Sequence, residues 1–402
     1  MHDMKNIRAH TILFTEDCPL DCRYCQLKTE DDYGTNKGQT FDFILEKIKK
    51  YDEEDKKDGV SSQLTFTGGE PFLYWNWIKQ IIEMYGDRFV YHFNTSGYLF
   101  TEEILEFLSH YQSYFTLSID GGEKLTNYLR PVKSNPYGVG YFKKIKEITP
   151  ILMYYFPNTS CKIIINNRYV DLLHDIYLDM EKAGFQSATL ILDFNARPSY
   201  EGTHKKNQRL WDENDTKILE EQMELIVKEI LLGFENNVIR MKITNIEDII
   251  NFLMLDIKDY SPDNLVCNVF KGRTLETLNA PKDSHCFEGR YDNLEQAKEA
   301  LINRYKELNG KCPIDSTCKV FNFCANRNCP ISSLTSTGDL FGADQLECIM
   351  NKIIYKSALQ ILSIANELYN DKKAYLYYLN NFDFLGKKEV IDSGHTTTLL
   401  SL

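Results

Sequence analysis

No run of apolar residues in this 402-residue chain approaches the roughly 20 needed to span a bilayer. The first residues, MHDMKNIRAHTILF, lack the long apolar core of a secretory signal. No membrane partner is therefore expected, and the thiols should stay reduced in a cytoplasmic setting. Positive charge is also the scarcer sign, with 46 Lys and Arg against 58 Asp and Glu. A nucleic-acid backbone calls for clustered basic residues, so no nucleic-acid partner is expected; a pair such as Lys205-Lys206 reads as solvated surface. Internal repeats and low-complexity tracts are absent.

Cysteine is not scarce. Eleven are many for a reducing compartment, yet far below the density of a disulfide scaffold. Three of them, Cys18, Cys22 and Cys25, stand three and then two residues apart, directly after the apolar run at 10–14. A four-iron cubane normally takes four thiolates, so three in one loop leave an iron open for a cofactor. Zinc sites usually read as two Cys or Cys/His pairs with a spacer, whereas the next cysteine here is Cys161. A zinc knuckle and ordinary packing are the alternatives.

From residue 9 to about 200, β-rich runs alternate with stretches of helical periodicity. Strands are expected at 10–14, 63–67, 90–94, 114–120, 162–166 and 188–194, and helices near 41–53, 74–85, 102–110, 137–148 and 170–182. Such alternation implies a parallel sheet covered by helices, with chemistry on the loops after the strands. Thr67-Gly68-Gly69-Glu70-Pro71 follows the second strand, where glycines let backbone approach a ligand and a carboxylate or carbonyl can accept from an ammonium. The third strand ends in Asn94-Thr95-Ser96-Gly97, and the fourth in Ser118-Ile119-Asp120-Gly121, with Arg130 twelve residues after Ser118. A guanidinium suits a carboxylate through its planar fork of donors. The competing readings are a plain Gly-Gly turn, helix caps at Ser118 or Asp120, and a surface ion pair for Arg130.

Together the three-cysteine loop with Tyr24 before its last cysteine, the GGEP segment and Ser118/Arg130 resemble the radical SAM enzymes. The resemblance implies a partial (β/α)6 TIM-like barrel, α/β in class. It further implies a 4Fe-4S cluster on Cys18, Cys22 and Cys25, and S-adenosylmethionine held by Gly68, Gly69, Glu70, Ser118 and Arg130.

Seven of the eight remaining cysteines fall between 267 and 348. This field resembles the SPASM module, a C-terminal cysteine-rich domain with two auxiliary 4Fe-4S clusters, making three clusters in all. By order, Cys267, Cys286 and Cys329 fall to the first auxiliary cluster, and Cys312, Cys318, Cys324 and Cys348 to the second. Arg273 stands where fully ligated relatives have a further cysteine, so the first auxiliary cluster is expected to have an open iron; structural zinc is the alternative for the whole field. Cys161 reads as a buried hydrophobe. The expected division is 1–202 barrel, 203–260 helical bridge, 261–370 auxiliary-cluster domain and 371–402 tail.

The resemblance implies a peptide maturase that crosslinks a ribosomally made precursor, with a thioether suggested by the open iron. A sulfatase-maturing, formylglycine-generating enzyme is the alternative, although Phe287 follows Cys286 where those relatives carry a basic aspartate. Action on a small molecule and a non-catalytic zinc protein are the others. Expected partners are the precursor peptide, an electron donor such as flavodoxin or ferredoxin, and a separate leader-binding protein, since only seventeen residues precede Cys18. His285, Asp193 and Glu288 are unranked candidate bases.

Overall fold

A computed structural model describes residues 7–15, 17–25, 40–133, 140–193, 210–236, 238, 240–254, 275–277, 294–327, 333 and 337–369. The chain starts with β1 (Ile7–Leu13), then α1 (Phe41–Asp58), β2 (Ser61–Thr67), α2 (Trp75–Tyr85), β3 (Phe89–Thr95) and α3 (Glu102–Ser109). It continues through β4 (Ser113–Ser118), α4 (Glu123–Leu129), α5 (Tyr141–Tyr155), β5 (Ser160–Ile165), α6 (Leu173–Lys182) and β6 (Ser187–Leu192). After these come α7 (Glu213–Asn236), β7 (Lys242–Ile243), α8 (Thr244–Met254), β8 (Leu275–Thr277), α9 (Leu294–Glu307), α10 (Phe321–Arg327) and α11 (Gln345–Tyr369).

Among the described residues eight strands form one parallel sheet in the order β7-β6-β5-β4-β3-β2-β1-β8. Its six long strands match the expected ones within three residues at each end. The short edge strands β7 and β8 escaped the sequence reading because two or three residues carry no periodicity. Helix α5 also runs on past Pro150, with Leu152 fully buried and Thr149 Oγ1 donating to the Ile145 carbonyl at 2.7 Å.

Alternation along the strands gives the sheet two unlike faces. One is apolar: Phe66, Phe93 and Phe115 stack across neighbouring strands at 5.2–5.3 Å. Helix residues such as Ile81, Leu105, Leu108 and Ile145 bury themselves in the same core. The opposite face carries Thr65, His92, Asn94, Thr116, Lys162 and Thr189, knitted by bonds such as His92 Nε2 to Thr116 Oγ1 at 2.9 Å. Helices thus cover the outside of a partial barrel whose inside is polar. Buried residues of α7, α8 and α11 belong to the barrel's core, while Ala297, Leu301, Phe321, Ala325 and Phe341 form a second, smaller one.

Candidate functional site

The three-cysteine loop leaves β1 at the C-terminal end of the sheet and is tied down on two sides. Toward β2, the Gly69 N–H donates to the Thr15 carbonyl at 2.7 Å and the Glu70 N–H to the Asp17 carbonyl at 2.9 Å. Toward the segment after α4, Asp21 N–H donates to Pro131 O at 2.7 Å, Arg23 N–H to Leu129 O at 2.9 Å, and Lys133 N–H to Pro19 O at 2.7 Å. Arg23 adds a bond to the Tyr128 carbonyl and stacks over the Tyr128 ring. A loop held by backbone bonds presents its side chains in fixed directions, which a shared ligand requires. The Cys18 thiol is pushed up to about 12 by burial, with Glu70, Cys22 and Cys25 acting in the same sense. Metal binding must therefore displace a tightly held proton.

Glu70 is fully buried, and its carboxylate is saturated. Oε1 accepts from Thr95 Oγ1 at 2.6 Å and from the Phe72 N–H at 3.3 Å; Oε2 accepts from the Ser96 N–H at 2.9 Å and from the Ser96 hydroxyl. These four donors fill a carboxylate's usual acceptor sites. The acceptors left in the GGE turn are the carbonyls, and Gly68, at φ 129°, adopts a backbone conformation that only glycine enters readily. Ser96 was noted in the sequence without a role; its function is to lock the β2 loop to the β3 loop. Tyr141, missed entirely, adds a second lock: its hydroxyl donates to the Ser96 carbonyl at 2.9 Å and to that of Ser118.

Arg130 leaves the end of α4 and is 6% exposed. Its Nε donates to Asp120 Oδ2 at 2.7 Å and its Nη2 to Oδ1 at 3.2 Å, while Nη1 points to Cys22 Sγ at 3.7 Å. The Tyr24 hydroxyl donates to Asp120 Oδ2 at 2.5 Å, and the guanidinium lies over its ring. Burial opposes the charge on Arg130, but Asp120, Tyr24 and Cys22 more than offset it and hold its pKa above the ordinary value. Asp120 is thus part of a buried pair and no helix cap. Ser118 ends β4 and pairs in register with Lys162. Asp193, at the end of β6, is buried and accepts from Asn166 Nδ2 at 2.7 Å.

A second group forms around α10 and the start of α11. Cys312 and Cys318 pack on the smaller core; burial first, with Cys318 and Cys348 in the same sense, pushes the Cys324 thiol up, and burial first, with Cys318 and Cys312 in the same sense, pushes up that of Cys348. Asn351 Nδ2 donates to Cys324 Sγ at 3.3 Å. Cys267, Cys286 and Cys329, with His285 and Glu288, lie outside the described residues. Cys161 is fully buried on β5, its thiol pushed up by burial.

Residues 12–166 match the family model described as the radical SAM superfamily, and this stretch is a radical SAM domain. The chain is 30% identical over 139 residues to 7-carboxy-7-deazaguanine synthase of Methanocaldococcus jannaschii, a match covering 33% of this chain and 53% of the relative. It is 24% identical over 138 residues to the radical SAM cyclopropyl synthase TigE of Paramaledivibacter caminithermalis, covering 31% of this chain and 29% of the relative. The matched stretch thus spans about half of the first relative and under a third of the second. Among solved structures, native anSMEcpe with bound AdoMet and Cp18Cys peptide superposes with a TM-score of 0.65 at 18% identity, covering 90% of this chain and 99% of that one. The partial-barrel fold with its C-terminal helical region is therefore shared well beyond residue 166.

Proposed function

We propose that this chain is a radical S-adenosylmethionine enzyme that modifies peptides and holds three 4Fe-4S clusters. The observation that carries the reading is the three-cysteine loop, bonded through its backbone to Gly69 and Glu70 at the C-terminal ends of parallel strands. Cluster and cofactor, when bound, supply a 5′-deoxyadenosyl radical that takes hydrogen from an unactivated C–H bond. Gly68 and Gly69 offer backbone carbonyls to the cofactor's ammonium, and Glu70 holds their turn in place. Ser118 offers a hydroxyl beside the cofactor's carboxylate. Arg130 keeps positive charge against Cys22 Sγ, which favours the thiolate that iron needs. Buried surroundings at Cys22 and Phe14 keep water from the loop.

Iron rather than zinc suits three thiolates on one loop, since zinc sites usually read as two Cys or Cys/His pairs with a spacer. The auxiliary clusters are assigned to Cys267, Cys286 and Cys329, and to Cys312, Cys318, Cys324 and Cys348.

Support for a peptide substrate comes from the C-terminal cysteine module and from the peptide bound in the similarly folded anSMEcpe. Crosslinking to a thioether follows from the open iron that Arg273 implies on the first auxiliary cluster. The name of the deazaguanine relative favours a small-molecule substrate as the second reading. Protein prepared without oxygen should contain about twelve iron and as much sulfide, and form 5′-deoxyadenosine with a flavodoxin or ferredoxin. A precursor peptide encoded beside the gene should lose two hydrogens and one free thiol by mass spectrometry. Stoichiometric zinc without iron overturns the reading; deoxyadenosine with no change in any such peptide favours the small molecule.

A further inference from the structure

The cysteine loop has an outer side that cofactor binding does not use. Tyr24 turns inward to Asp120, while its neighbour Arg23 is exposed. The Arg23 guanidinium lies 4.2 Å from the centre of the Tyr128 ring, and its Nε donates to the Tyr128 carbonyl at 2.8 Å. Tyr128 stands on the last turn of α4 and is 41% exposed. From the segment after β5, Tyr169 meets the Tyr128 ring edge to face at 6.0 Å, and both Tyr169 and the exposed Arg168 bond to the Tyr128 hydroxyl. The Tyr169 bond and the charges of Arg23 and Arg168 lower the Tyr128 pKa.

Two guanidinium groups and two phenols from three separate segments thus form one surface patch. Arg and Tyr are the residue types on which interface hot spots are built, and side chains already held against one another lose less freedom when a partner arrives. The patch adjoins the N-terminal thiols, since Arg23 directly follows Cys22 and stands two residues before Cys25. Its sign is the scarcer one, with 46 Lys and Arg against 58 Asp and Glu in the chain. An acidic partner is repelled by such a chain as a whole and drawn to the place where two guanidinium groups are exposed together. A protein that visits, passes an electron and leaves uses a small interface, which four side chains suit. A peptide substrate has to enter the barrel instead.

We propose that Arg23, Tyr128, Arg168 and Tyr169 form the docking surface for an acidic one-electron carrier protein. The assignment rests on the radical SAM reading above. In the step it serves, the carrier is oxidised by one electron and the cluster on Cys18, Cys22 and Cys25 is reduced by one; no covalent bond forms or breaks. The patch steers the carrier to the loop that bears the thiolates.

The test measures by calorimetry the affinity of the anaerobically loaded protein for an acidic flavodoxin, at low and high salt, with wild type, Arg168→Glu and Arg168→Lys. Wild type should bind less tightly as salt rises. Arg168→Glu should weaken binding at low salt by about tenfold, the order for reversing one exposed interfacial charge, and Arg168→Lys should keep most of the affinity. Formation of 5′-deoxyadenosine gives a second readout. Arg168→Glu should need about tenfold more reduced flavodoxin for the half-maximal rate, yet match wild type when dithionite, which needs no docking surface, supplies the electron. Flavodoxin affinity unchanged in Arg168→Glu overturns the proposal, as does wild type that works with dithionite but does not bind flavodoxin. Weaker binding of a precursor peptide by Arg168→Glu, with flavodoxin binding intact, overturns it in favour of the peptide. Wild type that forms no deoxyadenosine with either reductant overturns the radical SAM reading instead. If the glutamate variant does not fold, Arg168→Gln replaces it in the same comparison.

Discussion

Ser96 holds Glu70 twice, through its backbone N–H at 2.9 Å and through its hydroxyl, and so fastens the loop after β2 to the loop after β3. Glu70→Ala strips four donors of their acceptor, two of them the backbone N–H groups of Phe72 and Ser96. Each unsatisfied buried donor costs about 1–3 kcal/mol. The variant should lose at least about 2 kcal/mol, seen as a lower thermal midpoint, and bind less iron. An unchanged midpoint would remove Glu70 from the scaffold of the site.

Cys22→Ala should abolish 5′-deoxyadenosine formation, because two thiolates do not hold the cluster that opens one iron to the cofactor. Cys324→Ala, in the second cysteine group, should lose iron and sulfide yet keep cofactor cleavage. Iron analysis and product chromatography on both variants check the assignment. Full cleavage by Cys22→Ala without its cluster is the outcome that would sink it.

Arg130→Met leaves Asp120 buried with its charge uncompensated, as Asp120 is 1% exposed. Breaking one side of a buried pair costs about 3–5 kcal/mol. We expect a fall in stability and in N-terminal cluster content together. Arg130→Lys should restore part of the stability but less of the cluster content, since lysine lacks the second arm that reaches Cys22.

His92 gives a pH test. Burial, with the Lys162 charge, lowers its pKa to about 4, whereas the unfolded chain protonates near 6.5. Between these values the unfolded state binds more protons, so stability is full above about pH 6.5 and is lost as pH falls toward 4. The difference amounts to about 3 kcal/mol. His92→Gln should flatten the midpoint-versus-pH curve relative to wild type over that window; parallel curves would contradict the assignment.

Gly97 sits at φ 72°, and a Cβ there would stand 2.6 Å from Leu117 Cδ1. Left-handed backbone and overpacking each cost about 1–3 kcal/mol for a non-glycine residue. Gly97→Ala should therefore lower the thermal midpoint more than Gly59→Ala, where φ is 67° but nothing lies within 4 Å.

Much of this was legible in the chain itself. Alternating apolar strands and periodic helices define a parallel sheet, because backbone pairing and side-chain burial follow local pattern. Three cysteines within eight residues need no tertiary structure to be adjacent. Short β7 and β8 were not legible, since their pairing is decided by the sheet edges they meet.

The partners of the charged residues belong to the tertiary structure alone. Arg130 read as a holder of the cofactor's carboxylate or as a surface ion pair, and only the turn of α4 sets it against Asp120 at 2.7 Å. Glu70 read as an open acceptor until Thr95 and Ser96, some 25 residues on, filled it. Sequence fixes which groups exist and which face of a strand or helix they take. Electrostatic partnership depends on distance and burial, and only the packed sheet brings residues dozens of positions apart within hydrogen-bond reach.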